Sequence, residues 1–290
     1  VAQSIAAPAK LNLGLRVLGR RGDGYHLLQS LVTFLDLADG IEIAPSLTWR
    51  LRLAGAFAHG LGNDENLVLR AARLVTAEAT ADVAGCAALA ADIALEKNIP
   101  VAAGLGGGSA DAAAVLRGLN EAWRLDLPEE RLLQLAASLG ADVSMCLTGK
   151  PAMVGGIGEQ IEPVPLPSLS LVIGNPGIAL ATRDVFARLQ PPYAAALAPP
   201  VALRDAAAVA EFARALGNSL SEPAIALCPT LAAVLTDIAA LDGCLLAQMS
   251  GSGATCFGLF AEDVAAKQAA ATLQAARPAW FVRACHSLAG

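Results

Sequence analysis

At 290 residues the chain has room for two domains of ordinary size, which excludes a single small domain. A composition that is 55% hydrophobic and 16% charged, with mean hydropathy +0.54, raises the question of a membrane protein first. The longest uncharged runs answer it: residues 163–182 carry Pro163, Pro165, Pro167 and Pro176, and residues 243–261 are cut by Gln248, Ser250, Ser252 and several glycines, so neither makes one helix across about 30 Å of hydrocarbon. The N-terminal segment has no apolar stretch behind basic residues and does not read as a secretory signal, so a cytoplasmic location is expected. The net charge of −6 and a pI near 5.1 argue against a nucleic-acid partner, which would require phosphate-neutralising Lys and Arg.

Six cysteines, at 86, 146, 228, 244, 256 and 285, contain no Cys-x-x-Cys pair and read as buried thiols. The three histidines, at 26, 59 and 286, are too scattered for a local metal cluster, so no protein metal site is expected. Residues 1–35 hold Lys10, Arg16, Arg20 and Arg21 against Asp23, a local positive field that suits a small anionic ligand or a solvated edge equally.

In chain order, residues 9–18 alternate, with Lys10, Asn12, Gly14 and Arg16 on one side and Leu11, Leu13, Leu15 and Val17 on the other, the period of a half-buried strand. A turn at Arg21-Gly22-Asp23-Gly24 precedes extended segments at 27–35, 41–44 and 49–53. A helix is predicted over 66–79, capped from Asn63-Asp64-Glu65-Asn66, and a strand over 87–95. The glycine-rich segment from Pro100 to Asp111 then opens a helix carrying Ala112, Val115, Leu116, Leu119 and Trp123. A helix over 129–139 stops at Gly140, and Ala141-Asp142 opens a short apolar run. The proline-punctuated stretch from Pro163 to Pro167 marks the expected boundary between domains 1–162 and 163–290. Beyond it the pattern reads strand 169–173, helices 182–189, 204–216 and 230–241, strands 244–249 and 255–260, helix 262–276 and strand 280–285, an α+β arrangement.

The glycines of 104–109 let backbone amides approach a ligand and deliver it to a helix N-terminus, an arrangement suited to phosphate, although a flexible turn with Ser109 and Asp111 as caps fits too. A Walker loop is excluded because Gly108, not lysine, precedes Ser109. A dinucleotide loop is disfavoured because Pro100 interrupts the approach and the acidic candidate Glu121 lies inside the helix. Asp142 reads as a helix cap or a functional carboxylate, and Lys10 as a solvated or a functional lysine. The segment Ser250-Gly251-Ser252-Gly253-Ala254-Thr255 reads as a hairpin turn or a second anion loop, and Tyr25, His26 and Phe186 as core or base-stacking rings.

Taken together, Ala7-Pro8-Ala9-Lys10-Leu11-Asn12-Leu13, Arg21 through His26, Pro100 through Asp111 and Ser250 through Ala254 resemble the motifs of the GHMP kinase superfamily, in order along the chain. Leu139 through Val143 and Gly156-Ile157-Gly158-Glu159 are similar to it as well. The resemblance implies a two-domain α+β GHMP kinase fold with the active site in the interdomain cleft. It also implies ATP and Mg²⁺ as cofactors, and phosphorylation of the 2-hydroxyl of a cytidyl diphosphate sugar alcohol, a small-molecule partner used in isoprenoid precursor synthesis. A monomer or weak homodimer is expected.

Carried over position by position, the resemblance makes Asp142 the base and Lys10 its partner. It assigns Pro100, Val101, Ala102, Ala103, Gly104, Leu105, Gly106, Gly107, Gly108, Ser109 and Ala110 to the ATP phosphates, with Ser109 reaching the phosphates or the Mg²⁺. Asn66 and Lys97 line the nucleotide side; Tyr25, His26 and Phe186 grip the cytosine; Asn12 places the reacting end. Ala110 stands where the family often has serine, and Ser144-Met145-Cys146 where proline and aromatic residues are usual. The competing readings are another small-molecule kinase of the same fold, of homoserine or mevalonate type, whose acceptor needs no base pocket, and a non-enzymatic ligand sensor.

Overall fold

The computed structural model describes residues 3–59, 61–62, 66–81, 90–200 and 202–288. They form two compact units that interleave along the chain. The first comprises the described residues of Val1–Ala9, Leu37–Val101 and Gly106–Gly149, and the second those of Lys10–Asp36, Ala102–Leu105 and Lys150–Gly290. This division differs from the expected boundary at 162/163, because the long strands β1 (Gln3–Arg20) and β2 (His26–Ser46) each contribute one end to either unit.

In the first unit, β2 runs antiparallel to β4 (Ala90–Glu96), with Gly40 opposite Glu96 and Ser46 opposite Ala90. The short strand β3 (Arg50–Ala54) lies parallel to β4. Four helices complete it: α1 (Leu67–Ala81), α2 (Gly107–Ala122), α3 (Glu129–Leu139) and α4 (Ala141–Thr148). Asn66 Oδ1 accepts from Val68 N (3.0 Å) at the start of α1, as a capping side chain should. The core joins Ile41, Ile43, Ile93 and Leu95 of the strands to Val68, Val75, Val115, Leu116, Leu119, Leu132 and Leu147 of the helices. Alanines between them, such as Ala71, Ala112 and Ala136, let the helices approach closely without voids. Ala110, one of the two departures from the expected motif, is part of this core.

In the second unit, β2 pairs with β5 (Ala152–Gly155), Ser30 opposite Val154, and β5 turns back through β6 (Gln160–Pro163). A four-stranded antiparallel sheet has the order β10-β7-β9-β8, from β7 (Ser170–Asn175), β8 (Cys244–Met249), β9 (Cys256–Phe260) and β10 (Phe281–His286). Helices α5 (Thr182–Ala187), α6 (Ala206–Leu216), α7 (Ser221–Leu227), α8 (Thr230–Ala239) and α9 (Asp263–Ala276) accompany it. Its core includes Val172, Leu220, Val234, Ile238, Phe260 and Leu273.

Several expectations are corrected. Residues 9–15 of β1 are buried on both faces, so Lys10 and Asn12 do not lie on a solvated side. The segments at 27–35 and 41–44 are one strand, with Gly40 paired to Glu96 at the end of β4 and the Asp39 side chain accepting from Ile99 N just beyond it. The β5–β6 hairpin and α7 were not anticipated; α7 holds Pro223 in its first turn, where no amide is required for a helical bond. The predicted strand over 87–95 is described from Ala90 on, while Cys86 and Asn63 to Glu65 lie outside the described residues. Among the described cysteines, Cys228, Cys256 and Cys285 are buried and Cys146 and Cys244 half-buried. Among the described residues no helix is long and apolar enough to cross a membrane, and no cluster of potential metal ligands occurs.

Candidate active site

Helix α2 begins at Gly107 behind Gly106, whose φ of 63° is left-handed, and no side chain caps it. Its first turn holds no acidic residue. The first amide to bond within the turn is Ala110 N, to Gly106 O at 2.9 Å, so the amides of Gly107, Gly108 and Ser109 have no acceptor inside the helix. A helix end of this kind, with Gly108 exposed to solvent, fits the phosphates of ATP: aligned dipoles favour the anion, and the missing β-carbons leave it room. The capping expected of Ser109 and Asp111 is corrected here, since Asp111 is the fifth residue of the helix and buried.

The second glycine-serine segment is the β8–β9 connection, and it braces residues 103–105. Ser250 Oγ donates to Gly104 O (2.9 Å) and accepts from Asn12 N (3.1 Å), while Thr255 N donates to Ala103 O (3.1 Å). Lys10 N donates to Leu105 O at 2.9 Å. Gly104 has φ +76°, and a β-carbon there would stand 2.4 Å from Ser250 O, so the close approach requires glycine.

Lys10 is 7% exposed and Asn12 is equally buried, its amide donating to Ser30 Oγ at 2.7 Å. Asp142 stands exposed in the first turn of α4; the cap position belongs to Gly140. Asn66, half-buried, spends its side-chain oxygen on the start of α1.

Lys97 is buried and its ammonium is shared by two carboxylates, Asp39 and Asp111, the latter at 2.7 Å. Asp39 Oδ1 also accepts from Asn98 N (2.6 Å) and Ile99 N (2.9 Å). Burial pushes the Asp111 carboxyl up to about 7, against the pull of Lys97 and with the help of Asp39. Asp39 and Asp111 were not among the expected site residues; a partner 58 residues away leaves no local spacing to find it by.

His26 lies against Phe186, ring centroids 5.0 Å apart and tilted by 32°, with Tyr193 edge-on at 6.2 Å. Burial, assisted by Arg20, holds the His26 imidazole below its ordinary value, which keeps it neutral at pH 7. Tyr25 is 61% exposed beside it in sequence. Tyr193 comes from the proline-rich segment 190–202. The basic residues of the N-terminal stretch are largely committed: Arg16 donates to Leu216 O (2.9 Å), Ala215 O (2.5 Å) and Ala195 O (2.6 Å), and Arg21 pairs with Asp23 (2.7 Å).

Comparison with known proteins identifies the class as that of the GHMP kinases. Residues 66–150 match the GHMP kinases N terminal domain and residues 195–279 the GHMP kinases C terminal domain. A 4-diphosphocytidyl-2-C-methyl-D-erythritol kinase of Paramagnetospirillum magneticum is 50% identical over 96% of both chains, and one of Rhizobium johnstonii 47% identical over 98% of this chain and 93% of its own. A crystal structure of 4-(cytidine 5'-diphospho)-2C-methyl-D-erythritol kinase superposes with a TM-score of 0.80 at 35% identity, covering 99% of this chain and 100% of that one. Homoserine kinase from Cytophaga hutchinsonii, at TM-score 0.71 and 19% identity over 99% and 95% of the two chains, shares the fold. The chain belongs to the 4-diphosphocytidyl-2-C-methyl-D-erythritol kinase family.

Proposed function

We propose that the protein transfers the terminal phosphoryl group of ATP to the 2-hydroxyl of 4-diphosphocytidyl-2-C-methyl-D-erythritol, giving the 2-phosphate and ADP in the non-mevalonate route to isoprenoid precursors. The observation that carries the reading is the uncapped start of α2, with its left-handed Gly106 and acid-free first turn. The segment 100–110 holds the ATP phosphates, chiefly through the amides of Gly107, Gly108 and Ser109, and Asn66 and Lys97 belong to the nucleotide side. Mg²⁺ bound with ATP would supply charge neutralisation on the phosphates, with Ser109 the residue that would reach the phosphates or the ion.

In this reading Asp142 accepts the hydroxyl proton as the alcohol attacks, a role its exposed carboxylate suits. Lys10, an ammonium with little solvent around it, offsets charge on the phosphoryl group in transit, where low dielectric makes one positive charge count for more. Asn12 places the reacting end. Tyr25, His26 and Phe186 take the cytosine, with the neutral His26 able both to donate to and to accept from the base edge. The half-buried Phe186 offers a ring face for stacking. The protein works in the cytoplasm as a monomer or weak homodimer.

The test is ADP release with Mg·ATP and each of three acceptors: the cytidyl substrate, homoserine and mevalonate. Turnover with the cytidyl compound alone is expected. Turnover with homoserine or mevalonate at a comparable rate overturns the substrate assignment, and ATP binding without turnover on any of the three favours a sensor.

A further inference from the structure

Two carboxylates and one ammonium meet in the interior of the first unit, at the two ends of segment 100–110. We infer that Asp39, Lys97 and Asp111 are positioning residues for the nucleotide: they hold the entry and exit of the phosphate loop together, and the Lys97 ammonium acts on ATP through the loop. This rests on the reading of that loop as the ATP phosphate site.

The entry is held by Asp39. Its Oδ1 takes the amides of Asn98 and Ile99, the two residues before Pro100. The exit is held by Asp111, the residue after Ala110 and part of α2. Lys97 Nζ bonds both carboxylates, so one cation joins the two ends across the segment. At 3% exposure Lys97 has its ammonium turned inward, and a β-carbon on Gly107 would lie 3.4 Å from that nitrogen. The cation therefore sits directly beneath the first residue of the helix that faces the phosphates.

Stability alone gives little reason to keep such a cluster, because desolvating three charges offsets most of their attraction and apolar side chains of the same volume do as well. Asp111 Oδ1 is moreover buried without a hydrogen-bond partner among the described residues, a cost that hydrophobic packing would not carry. What a charged cluster provides is direction: bonds of fixed length and angle between a strand end, a loop and a helix start. Phosphate binding through backbone amides depends on that kind of fixed geometry.

The test measures Mg·ATP binding by calorimetry without acceptor, KM for the cytidyl acceptor, and thermal melts. Asp111→Ala leaves Lys97 matched one-to-one with Asp39 and is expected to fold. It should weaken Mg·ATP at least tenfold while moving the acceptor KM less than twofold, and Asp111→Asn, which keeps the shape and one acceptor oxygen, should recover affinity to within threefold of wild type. Lys97→Met should weaken Mg·ATP as well, and the Lys97→Met/Asp111→Ala double variant should be no weaker than the worse single, since both remove the same tie. Wild-type affinity in Asp111→Ala, or fully additive losses in the double variant, overturns the inference. Should Lys97→Met not fold, the two Asp111 variants decide it. Gly108→Ala is the control on the underlying reading: Gly108 is exposed, and the nearest atom to an added β-carbon, Leu67 Cδ1, is 3.9 Å away. Unchanged Mg·ATP affinity there removes the loop as the phosphate site and the inference with it. Loss in Gly108→Ala beside wild-type affinity in Asp111→Ala removes the inference alone.

Discussion

Asp142 and Asp111 are carboxylates 31 positions apart in sequence with opposite surroundings: the first exposed at the start of α4, the second buried beside another carboxylate. Replacing Asp142 by Asn removes the proton-accepting oxygen at nearly constant shape. Asp142→Asn is expected to lower kcat by about 10²–10⁴-fold with KM for ATP little changed, as followed by coupled ADP release. Asp111 carries a pH signature instead. Its carboxyl is raised from 3.8 to about 7 in the folded protein, so between those values the folded state holds a proton that the unfolded state has released. The contribution of Asp111 to stability is therefore greatest at low pH and declines as pH rises from about 4 to about 7. Melting temperatures at pH 5 and pH 8 should fall further in wild type than in Asp111→Asn; equal falls would remove the carboxyl as their source.

Among the elements, the β8–β9 connection does work that its sequence leaves ambiguous. Ser250-Gly251-Ser252-Gly253 reads equally well as a hairpin turn or as an anion loop, and it is a turn whose serine bonds to the backbone of residues 12 and 104. Ser250→Ala leaves the Gly104 carbonyl and the Asn12 amide without that partner. The expected cost is about 1–3 kcal/mol in denaturant unfolding, with a rise in KM for ATP because residues 103–105 lose their brace. The helices themselves were legible, since α2, α3, α6, α8 and α9 announce themselves by period or glycine stops, while the cap of α6, Asp205 accepting from Ala208 N at 2.8 Å, came from the structure. The β5–β6 hairpin was not, because four-residue strands are too short for alternation to register.

Across the molecule, distant segments are tied by side chains that sequence position hides. Arg16 was read as part of a positive field open to a ligand, yet its guanidinium reaches the last carbonyls of α6, at Ala215 and Leu216, and the carbonyl of Ala195. A cation at a helix C-terminus satisfies acceptors that have no partner within the helix. Arg16→Ala is expected to destabilise the protein by about 1–3 kcal/mol, read from denaturant midpoints, without changing acceptor preference. Gln29 makes a similar tie to the same region, exchanging hydrogen bonds of 2.7 and 2.8 Å with the backbone of Leu197. Both links fasten the proline-rich segment that also supplies Tyr193 to the aromatic group around His26.

The sequence by itself determined the elements with strong period and punctuation, the α+β class, and the motifs that mark a GHMP kinase, because these are local: a glycine where φ is positive, a capping asparagine, an apolar residue every third or fourth position. The tertiary structure decided what depends on the second partner of each pair. Lys10 looked solvated from its alternating strand and is buried because both faces of that strand are covered. Lys97, placed on the nucleotide side by resemblance, has its ammonium held by two aspartates, one of them 58 residues away. Burial and pairing are properties of what the chain folds against, and no window along the sequence contains both halves of them.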